Sequence, residues 1–290
     1  MSSAERRLPD YAIIGAMKSG TSSLRAALAT HPESFCARET HFFCENFERG
    51  IDWYLERFAD AGDVRRLGEK TADYLYNAGA LSRMKETIPG AQLIVMLRDP
   101  VDRAYSNYWH ERRLGRETLS FADAVAAEPE RLANGERHFG YLDMGRYLPQ
   151  LERLTTLYPR GAIQVTIFED FSESPASSFA SVCRFLGIDD TMVPEALNVR
   201  HNQYVSAKRP WLVPLLRKQW FRDRLPAPIR RRIWGQMWKP AEYEPLDPAL
   251  RRELAAGFTA DNASLARWLG VDRMRWDAPS TSPEPARGSS

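Results

Sequence analysis

The chain has 290 residues, with 40 Lys and Arg against 38 Asp and Glu and a formal net charge of +2. That balance argues against a dedicated nucleic-acid-binding protein, whose basic surplus is usually much larger. Hydrophobic residues make up 43% of the chain, which is enough for the core of one large domain or two small ones. Cys36, Cys44 and Cys183 fit neither a zinc-site spacing nor a disulfide framework, so a reducing compartment is the simplest inference.

The N-terminal segment has no features of a membrane anchor. Residues 1–10 form a polar arm, and the apolar run 11–17 that follows is interrupted by Lys18. That run is too short for a signal peptide or a membrane span, and no later segment reaches membrane length. We therefore expect a cytoplasmic protein without a transmembrane segment.

Three short runs rich in β-branched residues predict buried strands, at residues 11–14, 92–97 and 162–168. Helical patterns separate these runs, which is typical of alternating α/β units. The sequence therefore predicts an α/β fold with a central parallel sheet flanked by helices.

Proline and glycine mark the ends of the predicted helices. Pro175 suits the first turn of one helix, Gly187 suits its C-terminal cap, and a second helix begins near Pro248. The first helix has an apolar stripe formed by Phe179, Val182, Cys183 and Leu186. We expect a single domain over residues 1–277, followed by a disordered Pro/Ser-rich tail at 278–290.

Residues 200–240 are a candidate lid or acceptor-pocket segment. Within them, residues 211–239 combine four tryptophans with a cluster of arginines. Such a stretch fits a basic amphipathic lid, a membrane-surface helix, or helices that pack aromatic rings inward and place arginines outward. The last interpretation is favoured, because arginine on a solvated helix face is ordinary.

The strongest functional signal lies between the first strand and the helical run 24–29. A glycine-containing turn from strand to helix directs backbone N–H groups and the positive end of the helix dipole to one point, which makes an anion site. Lysine and three hydroxyls coincide with that turn. The candidate phosphate-binding residues are Lys18, Ser19, Gly20, Thr21, Ser22 and Ser23.

This loop differs from the nucleotide-triphosphatase loop, in which lysine directly follows the last glycine. Here Lys18 precedes Gly20 by two residues, and no apolar strand ends in a convincing carboxylate for Mg²⁺. A kinase is therefore a weaker alternative. A catalytically silent nucleotide-binding scaffold is a third interpretation.

A second nucleotide element follows the strand at 92–97. Arg98 lies at the carboxyl end of that strand, where open α/β sheets bind ligands, and Ser106 follows two turns into the next helix. An arginine fork with a hydroxyl suits a second phosphate. The alternative is purely structural, with Asp99 capping the helix and pairing with Arg103. Together the two elements imply a nucleotide phosphorylated at two separate places.

With these motifs the chain resembles the sulfotransferases that use 3′-phosphoadenosine 5′-phosphosulfate (PAPS), which have a P-loop-like fold. The loop matches the family's Lys-x-Gly-Thr-[ST]-[ST] pattern, and Arg98-Asp99-Pro100 with Ser106 matches its 3′-phosphate element. Three further matches are to the heparan-sulfate branch: Arg38-Glu39-Thr40-His41-Phe42-Phe43, Glu69-Lys70-Thr71-Ala72-Asp73-Tyr74 and Phe185-Leu186-Gly187. Arg38 and Ala72 depart from the usual lysine and proline in these boxes, so the resemblance does not transfer the acceptor.

The resemblance implies PAPS as co-substrate, PAP as product, and a carbohydrate or small-molecule acceptor, with a hydroxyl favoured over an amine as the accepting group. It implies Glu39 as the base, with His41 orienting it or acting as base itself if the segment is extended. Lys18 would assist the leaving group, and Lys70 would act at the acceptor side unless Glu69 and Lys70 form only a structural pair.

Three further residues are weaker candidates. His110 could reach the transferred group, and the basic pair Lys208 and Arg209 lies where the family closes a loop over the 3′-phosphate. No metal is expected, because lysine and backbone amides neutralise the leaving group.

Overall fold

Five parallel strands form the central sheet of the computed structural model, which describes residues 7–198, 205–207, 238–240 and 244–277. The strands are β1 (Tyr11–Gly15), β2 (Ser34–Ala37), β3 (Arg66–Lys70), β4 (Gln92–Leu97) and β5 (Ile163–Ile167). Their spatial order is β2-β3-β1-β4-β5. Two short strands, β6 (Val205–Ala207) and β7 (Trp238–Pro240), pair antiparallel in a separate sheet.

Helices cover both faces of the central sheet. Within the described residues they are α1 (Thr21–Leu28), α2 (Gly50–Leu55), α3 (Ala78–Thr87), α4 (Pro100–Arg113), α5 (Phe121–Ala126), α6 (Glu128–Ala133), α7 (Tyr147–Leu157), α8 (Phe168–Glu173), α9 (Pro175–Leu186), α10 (Pro248–Gly257) and α11 (Thr259–Leu269). The α/β fold with a central parallel sheet is therefore confirmed. No helix among these is both long and apolar enough to cross a membrane.

The three predicted strands all occur, with adjusted ends. β1 and β4 match residues 11–14 and 92–97 closely. The third prediction, 162–168, is one residue too long at each end, because Ala162 closes a 3₁₀ turn and Phe168 begins α8. Glu169 and Asp170 in the first turn of α8 favour a helix start there through the helix dipole.

The sequence pattern missed β2 and β3. β2 has only four residues, and it lies at the edge of the sheet. β3 reads Arg-Leu-Gly-Glu-Lys, which lacks the β-branched residues of a typical strand. Gly68 is needed in β3 because a Cβ there would lie 2.4 Å from the ring of Tyr11. Tertiary contacts, rather than local preference, thus place these strands.

Alternation along β1 divides the core between the two faces of the sheet. Tyr11 and Ile13 pack with α1 and α9, including the predicted stripe of α9, whose Phe179 is fully buried. Ala12 and Ile14 pack on the opposite face with residues of α3 and α7. Both faces of β1 are thus covered, as expected for a central parallel strand.

Strand order determines where loops can form a site. β1 has β3 on one side and β4 on the other, and all three strands run in the same direction. The loops that follow their carboxyl ends therefore meet at one edge, at the point where the connections change direction. Those loops contain Lys18, Thr71 and Arg98.

The late helix is confirmed as α10. Pro248 is its first residue, and the side chain of Asp247 accepts hydrogen bonds from the backbone N–H groups of Ala249 (2.9 Å) and Leu250 (2.8 Å). Lys208, Arg209, most of the 200–240 segment and the tail at 278–290 lie outside the described residues. The expectations for those segments stay predictions.

Candidate active site

The loop after β1 is shaped by Gly20. Its φ is +84°, and a Cβ at this position would lie 2.6 Å from Cδ2 of Phe168, so only glycine fits. The backbone N–H of Ala16 donates to the carbonyl of Met96 (2.7 Å), which ties the loop to β4. α1 begins at Thr21, earlier than the predicted start at 24, and the loop's hydroxyls therefore lie in the first turn of the helix. The first N–H groups of a helix lack partners within it, which suits an anion.

Lys18 lies in a strongly basic environment. Burial is the largest cause of a pKa lowered to about 8 for its ammonium group, and the positive charges of Arg113, Lys70 and Arg98 contribute to this lowering. An anion placed here would therefore relieve repulsion between several cations.

A cavity of about 710 Å³ opens beside this loop. Eight of the predicted site residues line it: Lys18, Gly20, Thr21, Ser22, Glu39, His41, Lys70 and His110. Among the described residues, Ser19, Ser23, Arg98 and Ser106 were also predicted, and these four do not line it. The structure therefore brings the loop and the catalytic candidates together around one space.

Glu39 stands between two cationic partners. Lys70 Nζ contacts one carboxylate oxygen, and His41 Nε2 lies 3.7 Å from the other. The cationic ring of His41 is the largest cause of a pKa lowered to about 2 for this carboxyl group, and Lys70 adds to the lowering. Glu39 is therefore ionised at neutral pH, with half of its side chain facing the cavity.

His41 has carboxylates on both sides. Its Nδ1 lies 3.2 Å from Oδ2 of Asp73, and hydrogen bonding to Asp73 is the largest cause of a strongly raised pKa. The condition that the segment be extended is not met, because His41 has a φ of +48° and its carbonyl accepts from the N–H groups of Glu45 and Asn46. A tight turn, rather than strand alternation, brings His41 to Glu39. Asp73 was not singled out as a site residue by the sequence analysis.

Glu69 is fully buried and does not pair with Lys70, contrary to the structural alternative. Its carboxylate accepts hydrogen bonds from the hydroxyls of Tyr54 (2.6 Å), Thr40 (2.6 Å) and Thr71 (3.1 Å). Burial raises the pKa of this carboxyl group. Within the part of the chain that the structure describes, the hydrogen bonds to this carboxylate come from hydroxyl groups, which it holds in place.

Thr71 connects this network to the catalytic candidates. Its Oγ1 accepts from the backbone N–H groups of Thr40 (3.2 Å) and His41 (3.3 Å). The loop that carries Glu39 and His41 is thereby fixed to the end of β3. Thr40 and Thr71 belong to the motifs at residues 38–43 and 69–74, and their hydroxyl groups are the sequence signal for this contact between the two motifs. The sequence analysis did not use that signal.

His110 reaches the cavity from α4. Burial lowers its pKa to about 3, and the charge of Lys18 contributes. Because Arg113 Nη2 donates to His110 Nδ1 (2.9 Å), the neutral ring carries its proton on Nε2. His110 is thus a neutral hydrogen-bond donor at neutral pH.

Arg98 joins the two predicted phosphate elements. Its Nη1 donates to the carbonyl of Lys18 (3.2 Å), and its guanidinium lies 4.8 Å from the centre of the Phe168 ring. Ser106 is buried on α4. The two elements are therefore neighbours at the carboxyl edge of the sheet.

The structural role considered for Asp99, capping the helix and pairing with Arg103, is confirmed only for the cap. Asp99 does cap α4, accepting from the N–H groups of Val101 (2.8 Å) and Asp102 (3.1 Å). Its ion-pair partner, however, is Arg251 at 2.8 Å. Arg103 is fully buried and donates to the carbonyl of Tyr141, so the pair with Asp99 that this alternative included is wrong.

A parallel α/β sheet with an anion-binding loop after its central strand, next to a carboxylate held by two cations, is typical of an enzyme that acts on a phosphorylated co-substrate. The family model described as "Sulfotransferase domain" matches residues 8–215, well over half of the chain. The chain therefore belongs to the sulfotransferase domain family. The predicted family is thereby confirmed.

Relatives of known description support this assignment. The human bifunctional heparan sulfate N-deacetylase/N-sulfotransferase 2 is 33% identical over 196 residues, which cover 63% of this chain and 22% of that protein. The corresponding Caenorhabditis elegans protein 1 is 26% identical over 286 residues, covering 93% of this chain and 31% of that protein. This chain thus spans less than a third of the length of these curated relatives.

Solved structures share the fold. A sulfotransferase from Alicyclobacillus acidocaldarius superposes with a TM-score of 0.71 at 29% identity, covering 92% of this chain and 97% of that one. The mouse sulfotransferase SULT7A1, solved in complex with PAP, superposes with a TM-score of 0.51 at 15% identity, covering 91% of this chain and 88% of that one. The P-loop-like sulfotransferase fold expected from the sequence is confirmed.

Proposed function

We propose that this chain transfers the sulfuryl group of PAPS to an amine or hydroxyl of a carbohydrate acceptor and releases PAP. The observation that carries the proposal is the cavity, which Lys18 of the phosphate loop and the Glu39 carboxylate both line. Membership of the sulfotransferase family supports the reaction class.

The donor would bind through two separate phosphate sites. The N–H groups at the start of α1, with Lys18 and the hydroxyls of Thr21 and Ser22, would hold the 5′-phosphosulfate. Arg98 and Ser106 would hold the 3′-phosphate outside the cavity, next to the loop that Arg98 contacts. Lys208 and Arg209 remain candidates for covering that phosphate.

In the transfer, the acceptor nitrogen or oxygen forms a bond to sulfur while the bond from sulfur to the bridging oxygen breaks. Glu39 takes the acceptor's proton, and PAP leaves with the electron pair of the broken bond. Lys18 and the loop amides stabilise the charge that develops on the bridging oxygen. This scheme takes its positive charge from the protein and needs no metal ion.

The neighbours of Glu39 have supporting roles. His41 is protonated between Glu39 and Asp73, so it orients the carboxylate rather than acting as the base. Lys70 holds the other oxygen of Glu39 at the acceptor side. His110 can donate from Nε2 to an oxygen of the sulfuryl group during transfer.

The acceptor class follows from the relatives rather than from the cavity alone. Those relatives are named as heparan sulfate N-sulfotransferases, which favours an amine on a sugar over the hydroxyl expected from the sequence. As the amine nitrogen bonds to sulfur, the N–H proton that it already carries becomes very acidic. A weakly basic carboxylate such as Glu39 therefore suffices to remove that proton.

Donor binding is tested by calorimetric titration of the full chain with PAP in EDTA. We expect micromolar affinity that falls at least roughly ten-fold in Lys18→Ala and in Arg98→Ala, about 1.4 kcal/mol or more. Arg252→Ala, an exposed charge on α10, should bind PAP as the wild type does. Failure of the wild type to bind PAP would contradict the proposal.

The acceptor is tested with PAPS and two glucosamine oligosaccharides, one with free amines and one fully N-acetylated. PAP release with the free amine alone indicates N-sulfation, and release with both indicates O-sulfation. If neither accelerates PAP release above slow hydrolysis, the carbohydrate part of the proposal is wrong, while the PAP titration still judges the donor site.

A further inference from the structure

An arginine of α10 forms ion pairs with two carboxylates at the start of α4. Arg251 Nη1 donates to Oδ1 of Asp102 (2.7 Å), and Arg251 Nη2 donates to Oδ2 of Asp99 (2.8 Å). The other oxygen of Asp99 accepts from the first N–H groups of α4. A helix late in the chain is thereby tied to the element that the sequence analysis assigned to the second phosphate.

The two carboxylates lie beside the residues proposed for the 3′-phosphate. Asp99 directly follows Arg98, and Asp102 precedes Ser106 by four residues in α4. Residues four positions apart on a helix project from the same face, with Cβ atoms about 5–6 Å apart. A phosphate held by Arg98 and Ser106 therefore has two carboxylates within about one helical turn.

Those carboxylates would repel a phosphate if they had no counter-charge. The side chain of Asp99 is only 10% exposed, so water and salt screen its charge weakly. The planar guanidinium of Arg251 reaches both carboxylates at once, one with each terminal nitrogen. It therefore offsets negative charge at the place where a further negative charge has to bind.

Apolar contacts also hold α10 against α4. Leu250 and Leu254 pack on the apolar cluster that includes residues of α4 and α5. Just before α10, the carbonyl of Glu244 accepts a hydrogen bond from the hydroxyl of Tyr105 (2.5 Å). What Arg251 adds to these contacts is positive charge next to the proposed phosphate site.

We propose that Arg251 is a positioning residue for donor selection: by pairing with Asp99 and Asp102, it removes the repulsion that these carboxylates exert on the 3′-phosphate of PAP. This inference rests on the proposed function. It gives α10 a part in the preference for a nucleotide that carries a 3′-phosphate over one that lacks it. Arg98 and Ser106 contact the phosphate, and Arg251 acts through its two carboxylate partners.

The test compares PAP with adenosine 5′-phosphate, which lacks the 3′-phosphate, by calorimetric titration of the full chain in EDTA. Arg251→Gln should bind PAP roughly ten-fold more weakly and adenosine 5′-phosphate with unchanged affinity. Arg252→Gln removes an exposed charge from the neighbouring position of α10 and should bind both nucleotides as the wild type does.

Two results would count against the inference alone: a PAP affinity in Arg251→Gln equal to that of the wild type, or an equal loss of affinity for both nucleotides. A wild type that binds no PAP would instead contradict the proposed function, and this inference with it.

Variants of Asp102 separate charge balance from a structural role. Adding Asp102→Asn to Arg251→Gln removes a carboxylate that has lost its partner, so most of the PAP affinity should return. If Arg251 only held α10 in place, or contacted the phosphate itself, the double variant would bind PAP as weakly as Arg251→Gln, and the proposal would be wrong.

Asp102→Asn alone keeps Arg251 and its pair with Asp99, so it does not depend on whether Arg251→Gln folds. This variant should bind PAP several-fold more tightly than the wild type, because one negative charge beside the phosphate is gone. Affinity for adenosine 5′-phosphate should stay the same. A PAP affinity that is unchanged or lower in Asp102→Asn would overturn the proposal, and thermal unfolding reports whether each variant is folded.

Discussion

The ammonium group of Lys70 contacts the carboxylate of Glu39, although the Lys70 side chain is 6% exposed and that of Glu39 is 47% exposed. A buried cation on the end of β3 thus meets a carboxylate from the loop after β2. Each charge is balanced by the other as well as by solvent, and the ion pair fixes Glu39 at the cavity wall.

Replacing Glu39 by glutamine should abolish most turnover and leave PAP affinity unchanged. Glutamine keeps the shape of the side chain but cannot take the acceptor's proton, so kcat should fall by roughly 10²- to 10⁴-fold. Steady-state kinetics and PAP calorimetry measure the two quantities separately. Glu48→Gln, an exposed carboxylate on the same segment, serves as the control and should behave as the wild type.

Full activity in Glu39→Gln would show that another group takes the proton. His41 would then be the next residue to replace. A loss of PAP affinity in the same variant would instead mean that the Lys70 contact supports donor binding.

PAP affinity should depend on pH through Lys18. Its pKa in the free protein is about 8, lowered chiefly by burial, and a bound phosphate must raise it. Below about pH 8 the lysine is protonated in both states, so affinity is full there. As pH rises above that value, affinity should fall by up to about ten-fold per unit, because binding then requires proton uptake.

Calorimetry between about pH 7 and 9.5 checks this, since the phosphates of PAP are fully ionised over that range. Proton uptake appears as a binding enthalpy that changes with the ionisation enthalpy of the buffer. Lys18→Met should bind more weakly and lose the uptake. A wild-type affinity that stays constant up to pH 9.5 would contradict the assignment.

Thr71 should position the catalytic loop without touching substrate. Thr71→Val removes the oxygen that accepts from the N–H groups of Thr40 and His41, so kcat should fall while PAP affinity is kept. Leaving those buried groups unpaired should also lower the free energy of unfolding by about 1–3 kcal/mol. Thr71→Ser retains the hydroxyl and should restore kcat. If both variants lose the same activity, the hydroxyl is not what matters.

Local sequence signals were enough for the phosphate loop and for strands β1 and β4. Lys18, Gly20 and Thr21 lie on a strand-turn-helix unit, which the order of residue types along this short segment indicates. β4 is a continuous apolar run, which a fully buried parallel strand requires. These features follow from propensity and composition, and the structure has them where the sequence predicts them.

The other half of the site depends on long-range contacts that no local pattern contains. Glu69 is buried because hydroxyls from three separate segments surround it, and its sequence neighbour Lys70 pairs elsewhere. A positive φ at histidine is uncommon, and no local pattern indicates the turn that the chain makes at His41. The contact between Asp73 and His41 depends on the fold, and the sequence does not indicate it.

The phosphate loop should tolerate no side chain at Gly20. Gly20→Ala introduces a Cβ at 2.6 Å from Phe168 in addition to the cost of a positive φ, so PAP affinity should fall by at least ten-fold and stability should decrease. Gly270, which caps α11, has the same left-handed conformation, with a φ of +75° and nothing within 4 Å of its would-be Cβ. Gly270→Ala therefore isolates the backbone cost, roughly 1–2 kcal/mol, and should bind PAP normally. Thermal unfolding and PAP calorimetry on both variants make the comparison. Equal stability losses and unchanged PAP affinity in both would mean that Phe168 can move aside and that contact with it does not shape the loop.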